Sequence, residues 1–263
     1  MTTRKPRILL WDLENTPSKG YVWGKYDQTV VAFDEDWWIL SVAWKWFGES
    51  KTHVLGLDDF PNYKRNKKDD KQLVMKIRDL LDEADFTIAH NGDAFDMKKA
   101  RARMLVHGID PPSPSRQIDT LKIARKVAMF TSNKLGDLGE SLGLGGKAET
   151  GGFETWLGCM SGDPRAWRTM KKYNKADVEL LEQVYLKLMP WAPTLPNLTL
   201  VTEKPESCPR PGCGAVGQMV RRGTRTMSTR VYDTYRCGAC GGYSSSTRCV
   251  KLNGNSALYK TTG

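Results

Sequence analysis

Arg7-Ile-Leu-Leu-Trp-Asp-Leu-Glu14 is the stretch on which the reading of this chain turns. A run of apolar residues that rises into carboxylates at alternate positions describes a buried strand emerging at a polar edge. Side chains alternate across a strand, so Asp12 and Glu14 leave the same face and can share a cation. The pair alone says little. With 19 Asp and 11 Glu in 263 residues, chance supplies about 0.8 D-x-E triplets, and Asp177-Val-Glu179 is a second instance. The first stands apart because the apolar run delivers it at the carboxyl end of a strand, where open α/β sheets place their sites.

Outward from that strand, Gln28 to Phe33, Trp38 to Phe47 and Thr52 to Leu57 read as further strands of a meander. Asp69 to Ala84 carries Leu73, Ile77, Leu80 and Leu81 at helical spacing, and Phe86 to His90 returns as a strand. Helices are expected over Phe95 to His107, Thr120 to Phe130, Lys134 to Leu142 and Arg165 to Met189, the last with a break near Tyr173 and Asn174, and a short strand begins at Ile118. Trp37, Trp38, Trp44 and Trp46 read as sheet packing, with base stacking as the alternative for any that is exposed. The glycine-rich loop Gly143 to Gly152 is not a phosphate-binding P-loop, because Gly146-Lys147 is followed by alanine. The fold class is α/β. Pro190-Trp-Ala-Pro-Thr-Leu-Pro196 stops any helix, so the chain divides into a domain over residues 1–190, a proline-rich linker over 191–202 and a small domain over 203–263.

Two more acidic positions join the first pair. In Asn91-Gly-Asp-Ala-Phe-Asp96 a strand breaks and a helix begins, which brings Asp96 to the same sheet edge, and Tyr173-Asn-Lys-Ala-Asp177 puts a phenol and a carboxylate on one helical face. Asp93 suits the turn itself and Asp119 suits a helix cap. His90 and His107 have no partner at metal spacing. In their order, D-x-E, N-x-x-x-F-D and Y-x-x-x-D resemble the three motifs of the DnaQ-like DEDDy 3'-to-5' exonucleases of the ribonuclease-H-like superfamily. The resemblance covers roughly residues 7 to 190. It is nearest to YprB-like predicted nucleases, including bacteriophage-encoded ones, through Ile118-Asp-Thr-Leu-Lys-Ile-Ala-Arg, Ser132-Asn-Lys-Leu and Gly162-Asp-Pro-Arg-Ala-Trp.

The resemblance implies a ribonuclease-H-like mixed sheet flanked by helices. It also implies that Asp12, Glu14, Asp96 and Asp177 bind two Mg²⁺ or Mn²⁺ ions while Tyr173 orients the attacking water. The expected reaction is removal of 5'-mononucleotides from a 3' end, DNA favoured over RNA. One cation activates water and the second, about 3.5–4 Å away, stabilises the leaving oxygen.

The last 56 residues hold five of the six cysteines. Cys208-x4-Cys213 and Cys237-x2-Cys240 are spaced to close a tetrahedral zinc site, with Gln218 to Val220 and Arg230 to Tyr235 forming a hairpin between them. The module resembles a zinc ribbon, although its first knuckle is longer than the usual two intervening residues. Cys159 and Cys249 read as ordinary thiols. A tail this short has little apolar material, so bound zinc supplies its folding energy.

Lys and Arg number 40 against 30 Asp and Glu, and residues 203–263 hold 10 against 3 of them, so most of the surplus sits on the ribbon. Arg221, Arg222, Arg225, Arg230 and Arg236, interleaved with Tyr235, are therefore the expected grip on nucleic acid: guanidinium groups on phosphates, the phenol on a base. No run approaches the ~20 apolar residues of a membrane span, and the start carries no signal-like segment, so a cytoplasmic protein of a bacterium or a phage-infected host is expected. Partners would be single-stranded or 3'-terminal DNA and a replication or polymerase protein. The rival readings are a ribonuclease or structure-selective endonuclease with the same metals, and an inactive nucleic-acid-binding or polymerase-docking module.

Overall fold

The computed structural model describes residues 5–26, 29–146, 150–227 and 230–250. Their contacts divide the chain into a large unit, Arg7–Tyr185, and a smaller one from Leu186 onward.

The large unit is built on a five-stranded mixed sheet. Its strands are β1 (Ile8–Asn15), β4 (Ile39–Trp46), β5 (His53–Gly56), β6 (Phe86–Ala89) and β7 (Arg116–Asp119), ordered β5-β4-β1-β6-β7. β4 runs antiparallel to β1, with Asp12 opposite Ala43 and Glu14 opposite Ser41, and β6 runs parallel to it. The central place of β1 follows from its sequence: Ile8, Leu9, Leu10 and Trp11 are all buried, as a strand covered on both faces requires. Pairing with β6 ends at Leu10 opposite Ile88, so Asp12 and Glu14 project just beyond the parallel ladder.

Leu9, Trp11 and Leu13 join the core with Leu73, Val74, Ile77, Leu80 and Leu81 of α1 (Lys71–Glu83) and with Met97, Ala100 and Met104 of α2 (Asp96–Val106). Trp38, Trp44 and Trp46 are buried in that core, and Trp37 packs half-buried at its margin. α3 (Thr120–Val127), α4 (Leu135–Ser141), α5 (Phe153–Ser161) and α6 (Pro164–Leu188) complete the unit. On α6, Trp167, Met170, Asn174, Asp177, Val178, Leu181, Val184 and Tyr185 are buried at helical spacing.

Three differences from the sequence reading have local causes. α6 runs without a break through Tyr173 and Asn174. Asn174 is fully buried, and its amide is bonded to β1 and β4 rather than competing for its own backbone. The expected strand from Gln28, a residue outside the described set, is displaced to β3 (Ala32–Glu35), which pairs with β2 (Lys19–Tyr21) in a separate two-stranded sheet. That hairpin exposes Tyr21, Trp23, Tyr26 and Phe33, so the apolar pattern there does not mark a buried strand. Helix α5 occupies residues between the glycine-rich loop and α6 where no helix is expected; residues 147–149 of that loop lie outside the described set.

In the smaller unit, β8 (Met219–Thr226), β9 (Val231–Cys237) and β10 (Tyr243–Cys249) form an antiparallel sheet, so the expected hairpin gains a third strand. The proline-rich segment packs within this unit. It forms a short helix, α7 (Thr199–Thr202), Ala192 and Leu198 are buried, and the Leu198 amide donates to the Pro209 carbonyl at 2.8 Å. No helix among the described residues is long and apolar enough to cross a membrane.

Candidate active site

At the end of β1, one carboxylate oxygen from each of Asp12, Glu14 and Asp177 lies within 4.8 Å of the others. Two come from alternate positions of the central strand. The third comes from α6, which crosses that face of the sheet: Lys45, opposite Leu10 on β4, makes an ion pair with Glu182, further along α6 than Asp177. Asp177 is 1% exposed. At an effective dielectric constant near 20, two unit charges 4.8 Å apart repel by about 3.5 kcal/mol, so three such carboxylates suit a bound cation. Their hard oxygen donors fit a divalent ion such as Mg²⁺ or Mn²⁺.

Asp96 stands beside this cluster as the first residue of α2, 2% exposed, its Oδ1 accepting from the Leu13 amide at 3.1 Å. The bond ties the start of α2 to the segment of β1 between Asp12 and Glu14. Asp96 is not among the three carboxylates that close to within 4.8 Å. Tyr173 lies one turn before Asp177 on α6, 8% exposed, its ring edge-on to Trp156 of α5 at 6.2 Å.

Asn174 was not singled out by the sequence. Its Nδ2 donates to Asp12 Oδ2 at 2.7 Å and to the Asp12 carbonyl at 3.3 Å, while its Oδ1 accepts from the Ser41 hydroxyl at 3.0 Å. It is thus a positioning residue that fixes the Asp12 carboxylate through a chain anchored on β4. The available signal was a wholly polar side chain on the buried stripe of an amphipathic helix.

The neighbouring acids do other work. Asp119 caps α3 by accepting from the Leu121 and Lys122 amides, and it also accepts from Asn91, which holds a left-handed φ of 64° in the β6–α2 turn. Asp93 in that turn pairs with Lys122 at 2.5 Å. His90 has both ring nitrogens engaged, Nε2 with the Asn133 carbonyl and Nδ1 with the Thr120 hydroxyl, each at 2.9 Å.

In the smaller unit, the sulfurs of Cys208, Cys213, Cys237 and Cys240 also fall within 4.8 Å of one another. Cys208 and Cys237 are buried. Desolvation pushes the Cys208 thiol up and takes Cys213 to about 11, while the Arg210 and Ala215 amides donate to these sulfurs and oppose the shift. At Cys237 desolvation also acts upward but is outweighed by the amides of Cys240 and Ala239 together with the Cys240 and Cys213 side chains, and the thiol is lowered. Backbone donors at both knuckles stabilise thiolate, so the cluster fits a zinc ribbon. Arg210, 7% exposed, braces it by donating to the Met189 and Ala192 carbonyls at 3.1 and 3.0 Å and to the Tyr243 carbonyl.

The expected nucleic-acid contacts are distributed along the ribbon. Arg221 faces Tyr235 across β8 and β9 but pairs with Asp233 at 2.7 Å. Arg222, Arg225, Arg230 and Arg236 are exposed, and Arg230 is raised by its bond to Tyr232.

The model of the family described as the RNase_H superfamily matches residues 46–189. A 72-residue stretch is 39% identical to a protein named DNA polymerase III PolC-type from Ureaplasma parvum serovar 3, covering 27% of this chain and 5% of that one. In three dimensions the chain resembles the family B DNA polymerase of the hyperthermophilic archaeon Pyrobaculum calidifontis, with a TM-score of 0.50 at 15% identity over 72% of this chain and 26% of that one. The chain therefore spans only a small part of either polymerase, and the structural likeness is one of fold.

Proposed function

This chain belongs to the RNase_H superfamily, and from that premise we propose that it is a divalent-metal-dependent nuclease acting as a 3'-to-5' exonuclease. The observation that carries the reading is the convergence of Asp12, Glu14 and Asp177 at the end of the central strand. Asp96 is assigned as the fourth acid of the site. Residues 1–190 are read as the catalytic domain, 191–202 as the connecting segment and 203–263 as the ribbon.

Bound Mg²⁺ or Mn²⁺ would activate water and neutralise the charge that develops on the leaving 3' oxygen. The chain's own contribution is to hold the ligands ready. Asn174 fixes the Asp12 carboxylate, the Leu13 amide fixes Asp96, and Trp156 fixes the Tyr173 ring. Tyr173 is assigned to orient the attacking water from the helical face it shares with Asp177. The zinc ribbon, through Arg222, Arg225, Arg230, Arg236 and Tyr235, is assigned to hold the strand. DNA is favoured over RNA because the partial sequence relative is named as a DNA polymerase, which also favours a role beside replication.

The test is degradation of 5'-labelled single-stranded DNA and RNA with Mg²⁺ or Mn²⁺, comparing wild type, Asp12→Ala, Asp177→Ala and a chelator control. A descending ladder is expected only from wild type with metal, and a blocked 3' end should suppress it. Activity retained by either variant would remove the site assignment, and indifference to the block would make the enzyme an endonuclease.

A further inference from the structure

The run Tyr63-Lys-Arg-Asn-Lys-Lys68 places four cations within five residues, beginning inside a 3-10 turn, Pro61–Lys64. Lys64, Arg65, Lys67 and Lys68 line a cleft of about 560 Å³ together with Glu35 and with Leu157 and Met160 of α5. Hydrogen bonds tie the two lining segments together. The Tyr63 hydroxyl donates to the Cys159 carbonyl at 3.1 Å and accepts from the Trp167 indole at 2.9 Å, while Lys67 donates to the Ser161 carbonyl at 2.5 Å. Lys171 clamps the start of the same segment through Asp58 and Asp59 at 2.8 and 2.7 Å. These contacts tie the basic segment to α5 and α6, so the cleft exists before any ligand arrives.

Its charges are only partly consumed internally. Lys68 pairs with Glu35 at 2.8 Å, but Lys64 and Arg65 are exposed and have no acidic partner among the described residues. Uncompensated cations crowded in one short segment repel one another, and a polyanion relieves that repulsion. In the same lining Leu157 is 40% exposed, an apolar surface suited to the faces of bases rather than to phosphates. The residue before it on α5, Trp156, packs on Tyr173 of the candidate catalytic helix.

We propose that this cleft is a binding track for single-stranded nucleic acid. Lys64 and Arg65 take the phosphodiester backbone of the strand whose end lies at the carboxylate cluster, and Leu157 and Met160 support its bases. The inference rests on the nuclease reading but concerns different residues and a different readout. It assigns substrate binding to the catalytic unit itself, in addition to the ribbon.

The test uses the full chain and fluorescein-labelled oligothymidylate, with binding followed by anisotropy over a range of salt and Ca²⁺ replacing Mg²⁺ to block turnover. Each lost phosphate contact on a single strand should lower the slope of log K against log salt by about 0.7, so Lys64→Ala with Arg65→Ala should lower it by about 1.4 and weaken binding on the order of 25-fold at about 0.1 M salt. The charge-matched control Arg125→Ala with Lys126→Ala, two exposed residues of α3, should keep the wild-type slope. Unchanged affinity and slope in the cleft variant would overturn the track even if wild type degrades DNA in Mg²⁺. The predicted loss of binding in a chain that never hydrolyses DNA would support the track and count against the nuclease reading instead.

Discussion

Replacing Asn174 with alanine should separate the positioning of Asp12 from the packing of α6. The side chain is fully buried and makes a charge-assisted bond to Asp12 Oδ2 at 2.7 Å and a neutral one with Ser41 at 3.0 Å. At about 1.5–3 kcal/mol for the first and 0.5–1.5 for the second, the variant should lose about 2–4 kcal/mol of stability, visible as a lower urea midpoint. The functional effect is distinct. A group that orients a metal ligand typically contributes 10–100-fold in metal affinity, so the Mg²⁺ concentration for half-maximal hydrolysis should rise by about that factor and most activity should return at saturating metal. If stability falls but the metal-activation curve overlays that of wild type, Asn174 is only a packing residue and its assigned role is wrong.

Metal analysis of the purified chain should return about one zinc, and Cys237→Ser should remove it together with the hydrogen-exchange protection of β8 to β10; protection that survives without zinc would sink the ribbon assignment. Asp70, wholly buried, accepts from the Ile39 amide at 2.8 Å and from Arg103 through two bonds of 2.8 and 2.6 Å, and it also bonds His107. Asp70→Ala should therefore cost about 3–5 kcal/mol by leaving the Arg103 charge uncompensated, and a loss below about 1 kcal/mol in urea unfolding would contradict this. Burial first, and then the charge of Lys51, hold the His53 imidazole below its usual pKa. With the unfolded chain binding the proton more tightly, stability should fall as pH drops below about 6.5. His53→Gln should weaken that acid dependence in thermal melts, and an identical pH dependence would rule His53 out as its source.

The elements most legible in the sequence were those whose pattern was fixed by burial. The apolar run at Ile8–Trp11 has to be covered on both faces, and Leu73, Ile77, Leu80 and Leu81 can share a helical stripe only in the register observed for α1. Elements held by distant partners were not legible. The unbroken course of α6 through Tyr173 and Asn174 depends on Asp12 and Ser41, 162 and 133 residues away. In the β2–β3 hairpin Val30, Val31 and Phe33 are exposed, so apolar content misplaces the strand. α5 buries Thr155 and Cys159 as its only fully covered residues and takes its place from Tyr63 and Tyr173 around it. For the site, the meeting of Asp12, Glu14 and Asp177 was foreseen from motif order rather than from any local pattern. The cations at 64–68 read the same in sequence whether they face bulk water or a wall.

The long span between Asn174 and Asp12 bears on when the protein can act during its synthesis and turnover. The carboxylate cluster draws on the first strand and the last helix of the large unit, so no contiguous fragment between them contains it. A chain still being translated, or one nicked and shorn of α6, holds at most an incomplete set of acids. Loop closure over such a distance is among the later and costlier events of folding. On the proposed nuclease reading, cutting would be a property of the finished large unit alone, and loss of turnover would be an early signal of its local opening near α6.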